Sequence, residues 1–168
     1  MELSGRYRIA ADRETVWRNL NDPEVLAKVV PGCQSFEEKE GEDGGRIFAA
    51  AVKLKVGPVG ATFKGEVALE DVQPPASYRL RGEGKGGVAG FGKGFADVAL
   101  TEIEDGAATI LAYAGEAQVG GKLAQIGSRL IGGTVKKLAA QFFEGFAAEI
   151  GAAAEELPAE AGEEGGAA

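Results

Sequence analysis

Polar and apolar positions change their spacing twice along this chain. A short strand near residues 2–10 leads into Asp12, a side chain suited to capping a helix, and Val16, Trp17 and Leu20 then follow at helical spacing. Asp22-Pro23-Glu24 reads as a second helix start, with a cap, a proline in the first turn and an acid beside it. Pro31-Gly32 ends that helix. From Cys33 to about Val119 the period falls to two. Phe48, Ala50, Val52, Leu54 and Val56 alternate with Lys53 and Lys55, and Tyr78 and Leu80 alternate with Arg79 and Arg81. Such alternation predicts antiparallel strands with one covered and one wet face. Turn chemistry at Gly41–Gly45, Gly57-Pro58, Pro74-Pro75 and Asp105-Gly106 separates them, giving about seven strands including the first. After Gly120-Gly121 the period returns to 3.6. Ile131, Val135, Leu138, Phe142, Phe146 and Ile150 make one stripe of a long helix, which Gly132-Gly133 is expected to weaken or kink. The pattern describes a curved antiparallel sheet wrapped around one long C-terminal helix, an α+β fold.

Residues 1–150 are expected to form a single domain, since 168 residues hold one sizeable core and hardly two. Residues 151–168 are expected to be a disordered acidic tail rich in Gly, Ala and Glu, with little apolar surface to offset ordering. The net charge is −8, a balance that disfavours nucleic acid and anionic lipid. There is no histidine, which removes Ser-His-Asp and Cys-His catalysis and His-ligated metal centres. The lone Cys33 permits no intrachain disulfide and is read as a small buried hydrophobe. No segment has the apolar length of a membrane span, and the N-terminus lacks the signal-peptide pattern, so a cytoplasmic protein is expected.

The glycine-rich run Gly82–Gly94 contains G-x-G-x-x-G, but a strand-like segment follows where a phosphate-binding helix would have to open. A P-loop fails as well, because Gly94 stands where Ser or Thr must bind magnesium. The acidic groups at Glu37–Asp43 and Glu102–Asp105 read as solvated hairpin tips. Asp97 and Glu116, on strands expected to be neighbours, are the one candidate acid–base pair. A structural reading of the glycines is more informative. If Tyr78 and Leu80 face inward, so do Gly82, Gly84 and Gly86, with Gly92, Gly94 and Ala96 beside them. Either the long helix approaches this bare face closely, or a cavity remains between them.

Leu3-Ser4-Gly5, Val16-Trp17, Leu20-Asn21-Asp22-Pro23, Val30-Pro31-Gly32-Cys33, Lys55-Val56-Gly57-Pro58, Gly82–Gly87 and Val119–Gln125 running into Gly127–Ile131 together resemble the CoxG family of carbon monoxide dehydrogenase subunits. This family is part of the START-like (SRPBCC) helix-grip superfamily, and the resemblance covers residues 2–148. It implies a hydrophobic cavity between sheet and helix. It also implies a non-catalytic accessory of a molybdenum hydroxylase, with no covalent cofactor, binding a quinone or lipid and helping to recruit or couple the enzyme to the membrane. Relatives that attach to membranes carry a long C-terminal extension with a hydrophobic or basic end. This chain ends in acidic, glycine-rich sequence, so the implied membrane contact is at most peripheral. The alternative on the same fold is an enzyme of the polyketide-cyclase type acting on a hydrophobic substrate in the same cavity. The expected cavity lining is Phe63, Val67, Tyr78, Leu80, Gly84, Tyr113, Val119, Leu130 and Leu138, with Trp17 and Phe91 near the mouth.

Overall fold

The computed structural model describes residues 1–158. β1 (Glu2–Ile9) is followed by α1 (Arg13–Leu20) and α2 (Pro23–Val29). Then come β2 (Cys33–Glu40), β3 (Arg46–Val56), β4 (Val59–Gln73), β5 (Ser77–Lys85), β6 (Phe91–Ile103) and β7 (Ala108–Gly120). α3 (Lys122–Ile126), α4 (Ser128–Glu149) and β8 (Ala154–Leu157) complete the described chain. Eight strands form one sheet in the order β2-β3-β4-β5-β6-β7-β1-β8, with antiparallel neighbours throughout. β1 lies beside β7 while β2 is the far edge, so α1 and α2 carry the chain between them. Their caps are those read from the sequence. The Asp12 carboxylate accepts from the Thr15 N–H at 3.1 Å, and Asp22 accepts from the Glu24 N–H at 2.9 Å.

Two sequence expectations need correction. The long helix does not yield at Gly132-Gly133. The break falls at Gly127, whose φ of +97° is cheap for glycine alone, and separates α3 from an unbroken α4. The segment after residue 150 is not all tail: Ala154–Leu157 pairs with Arg6–Ile9 of β1 and makes the sheet eight-stranded. Backbone bonding supplies what apolar side chains could not, since β1 would otherwise leave N–H and C=O groups unpaired. The remainder of the expected tail, residues 159–168, lies outside the described residues.

The main core joins the C-terminal half of α4 to α1, α2 and the concave face of the sheet. Phe146, Ile9, Val16 and Leu111 are among its fully buried side chains, each contributing about 1.5–3 kcal/mol by leaving water. Phe143 stacks on Tyr7 at 4.2 Å between ring centroids. A smaller cluster of Val56, Leu123 and Ile131, with Phe63, Val119 and Val135 packed against it, holds the N-terminal half of α4. The space of interest lies between these two cores.

Candidate functional site

Strands bend where their side chains vanish. A Cβ on Gly94 would lie 2.9 Å from Ala117 Cα, and one on Gly115 would lie 2.7 Å from Ala96 Cα. Neighbouring backbones approach too closely there for any side chain, and the sheet coils along this line. Gly84 and Gly92 differ: the nearest atoms to a Cβ would be 3.9 Å away, and none belongs to α4. Close packing of the helix on these two glycines is therefore excluded. The inward glycines serve both as a bend and as bare floor.

α4 is equally bare above this floor. Gly132 and Gly133 have nothing within 4 Å of where a Cβ would sit. They line a cleft together with Ser128, Arg129, Val135 and Lys136 of the same helix. The concave face of the sheet adds Leu3 and Gly5 of β1, Tyr78 of β5, Val98 of β6 and Tyr113 of β7. The cleft totals about 1430 Å³, but its walls also include Ser4, Arg79, Asp97, Ala99, Ala112 and Ala114, whose strand positions place them on the convex face. The part between sheet and helix is thus smaller than the total. Edge strand β8 contributes Glu156 and Leu157 to its rim.

Three tyrosines give this region its polar character. Tyr78 is 6% exposed, and burial raises its pKa well above the ordinary phenol value, against a small opposing pull from Arg46. Burial likewise raises Tyr113, with the Glu156 carboxylate adding to it. Tyr7 is pushed up to about 12 by burial first and Glu156 second. All three stay neutral at physiological pH and can offer hydroxyl hydrogen bonds rather than act as bases. Tyr113 folds its ring over Gly5, where a Cβ would come 2.6 Å from the hydroxyl oxygen.

The expected lining is met in part. Tyr78 and Tyr113 lie on the cleft wall. Leu80 packs at the edge of the main core, and Trp17 does the same, edge-on to Tyr78 at 5.2 Å. Phe63 and Val119 belong to the smaller core that closes one end. The Phe63 ring covers Gly86, while Val67 lies against Gly82. Gly84 faces open space beside Phe63, away from the Tyr78 end of β5. Leu138 is half-buried on α4 and is not among the cleft residues. Two placements were wrong. Phe91 shares the convex face with Lys93 and Phe95, covers Gly120 and is 38% exposed. Leu130 is 49% exposed and leans on the turn at Gly57, because it sits one residue, about 100° of helix, from the buried Ile131.

Asp97 and Glu116 do not form an acid–base pair. Asp97 takes two bonds from Arg79, at 2.7 and 2.9 Å, which hold its carboxyl below the usual range, while Glu116 stands opposite Phe95. The expected tip at Glu37–Asp43 is mostly strand: Glu37, Glu38 and Glu40 lie on β2, and Glu38 is held by the Arg46 guanidinium at 2.7 and 2.8 Å. The sequence reading missed Leu3, Gly5, Val98 and the α4 residues from Ser128 to Lys136. Alternation in β1 and β6 could have supplied the first three.

The sequence model of the carbon monoxide dehydrogenase family CoxG matches residues 5–151, so the chain belongs to that family. A conserved protein from Geobacillus kaustophilus is 33% identical, with a TM-score of 0.81 over 92% of this chain and 99% of its own. The ZhuI aromatase/cyclase from Streptomyces sp. R1128 is 14% identical, with a TM-score of 0.64 over 89% of this chain and 93% of its own. A START superfamily protein from Mycobacterium smegmatis is 17% identical, with a TM-score of 0.58 over 83% of this chain and 92% of its own. The fold is START-like. No curated protein matches the chain.

Proposed function

We propose that this member of the CoxG family is a non-catalytic carrier serving a molybdenum hydroxylase of the carbon monoxide dehydrogenase kind. It holds a hydrophobic ligand, a quinone or lipid, between α4 and the concave face, and helps couple the enzyme to the membrane where such ligands reside. The observation that carries this reading is the opposed bareness of helix and sheet: Gly132 and Gly133 face Gly5, Val98 and two tyrosines across unfilled space. Apolar walls favour a flat or extended apolar body, at about 0.8 kcal/mol per buried methylene. The neutral hydroxyls of Tyr78 and Tyr113 suit a carbonyl-bearing head. A sugar or small ion would lose hydration that these walls cannot replace.

A cyclase needs an acid–base pair in reach of its substrate. The phenols, pushed upward in pKa, and the Arg79-bound Asp97 do not supply one, so the carrier reading is preferred. Native mass spectrometry of the protein purified from its own host, followed by organic extraction, tests it. A stoichiometric quinone or lipid is expected. Protein that is empty, or that carries a polar metabolite, would count against the proposal.

A further inference from the structure

The net charge of −8 conceals a sharp division. Residues 53–65, 84–96 and 117–143 carry three, two and four cations and no carboxylate, so nine of the chain's 18 basic residues lie in segments free of acid. These segments meet at one end of the molecule. The β3–β4 turn touches the start of α4, since a Cβ on Gly57 would lie 2.9 Å from Leu130 Cδ2. The β5–β6 loop rests on the β7–α3 junction, where a Cβ on Gly90 would lie 2.9 Å from the Gly120 carbonyl carbon. Among the described residues, Lys55, Lys93, Lys122 and Lys137 make no ion pair there, while Lys85 is 3.7 Å from Glu83. Elsewhere arginines are clamped to carboxylates: Arg8 to Glu104, Arg46 to Glu38, Arg79 to Asp97 and Arg81 to Glu70.

Three of the four large hydrophobics left exposed sit at this same end: Val88 at 85%, Leu130 at 49% and Phe91 at 38%. Val88 is at the tip of a loop flanked by Gly86, Gly87 and Gly90. Single apolar tips ringed by unpaired lysines have the chemistry of a surface that meets lipid head groups: the tips enter the interface while the lysines neutralise phosphates. A protein partner's hot spot would be built from aromatic and arginine anchors and depleted in lysine. Here eight of the nine cations are lysine. Nucleic acid is disfavoured by the 26 carboxylates elsewhere on so small a chain.

We infer that this end docks on an anionic lipid surface, with Val88 inserted and Lys55, Lys85, Lys93, Lys122 and Lys137 around it. The acidic remainder points away and orients the approach. The inference deepens the membrane-coupling part of the proposed function and rests on that part alone; the cavity's occupant does not enter it.

Flotation of the full chain with phosphatidylcholine vesicles, with and without phosphatidylglycerol, tests it. Binding is expected to the anionic vesicles alone and to fade with added salt. The triple variant Lys55→Glu/Lys122→Glu/Lys137→Glu should lose about 100-fold or more in affinity, at roughly fivefold per lysine near such a surface. Val88→Asp, at an exposed tip that leaves the core untouched, should weaken binding several-fold. Quinone titration of the same variants in lipid-free solution should match the wild type. Equal binding to neutral vesicles, no binding at all, or a triple variant that floats like the wild type would overturn the inference. Loss of quinone binding by the wild type, with vesicle binding intact, would instead count against the carrier reading.

Discussion

Replacing Gly94 and Gly84 separately with alanine adds the same methyl group to two inward-facing strand positions, with opposite consequences. At Gly94 the new carbon would lie 2.9 Å from Ala117 Cα, and nearer still to the Glu116 carbonyl oxygen. Carbon atoms in contact sit about 3.5–4.0 Å apart, so β6 and β7 must separate by roughly half an ångström or more, or the bend must flatten. Both partners are backbone and cannot rotate away. A cost of about 3 kcal/mol follows, at the upper end of overpacking effects. In a chain of this size, that lowers the melting temperature by roughly 6–12 °C. At Gly84 the nearest atom is the Lys64 carbonyl oxygen at 3.9 Å, and the backbone is not in the left-handed region. The methyl group then restricts the unfolded chain without straining the folded one, a gain of about 0.4–1 kcal/mol. Differential scanning calorimetry of the two variants beside the wild type should place one well below it and the other level or slightly above. If Gly94→Ala melts with the wild type, the glycines do not set the sheet's curvature and the account of the cavity floor is wrong.

Two further outcomes follow from the same structure. Tyr7 holds its proton more tightly folded, at about 12, than unfolded, at about 10, so its contribution is fully present below pH 10 and is lost as pH rises towards 12. Tyr7→Phe should therefore show a shallower loss of stability than the wild type in melts between pH 9 and pH 12; identical slopes would show that the phenol is not shielded. Ending the chain after Ala153 removes β8 and its pairing with Arg6–Ile9, which should cost about 1–3 kcal/mol and speed hydrogen exchange in that half of β1. An unchanged melting temperature would mean that β8 is not docked.

Much of the fold was legible because local chemistry and global arrangement agree. Asp12 and Asp22 cap the helices they precede, and the alternation around Phe48, Tyr78 and Leu80 marks the covered face of the sheet. The errors have physical causes. β8 carries no apolar pattern, since edge pairing with β1 rather than burial holds it, and composition cannot report a free edge far away in sequence. Gly127 and Gly132 look alike as letters; which one takes a positive φ is decided by how α3 docks on Val56 and Ile131. At the site, Tyr78 and Tyr113 could be placed by strand parity. Leu130 was misplaced by a single helical step, and Phe91 by the parity of its strand. The cleft is defined mainly by what is missing at Gly5, Gly132 and Gly133. Absent side chains leave no hydrophobic signal.

The claim that the space beneath α4 binds a hydrophobic ligand is tested most directly by titrating a short-chain quinone against Trp17 fluorescence in the wild type and in Gly132→Leu. Trp17 is the single tryptophan and sits edge-on to Tyr78, 5.2 Å away, at the cleft wall. Leucine at position 132 enters open space, and removing a glycine from a helix interior should stabilise the fold by up to about 1 kcal/mol. Lost binding therefore could not be blamed on unfolding. The account predicts saturable quenching in the wild type and at least tenfold weaker binding in a Gly132→Leu protein that melts no lower. Equal affinity in the two proteins, or no saturable quenching in the wild type, would contradict it.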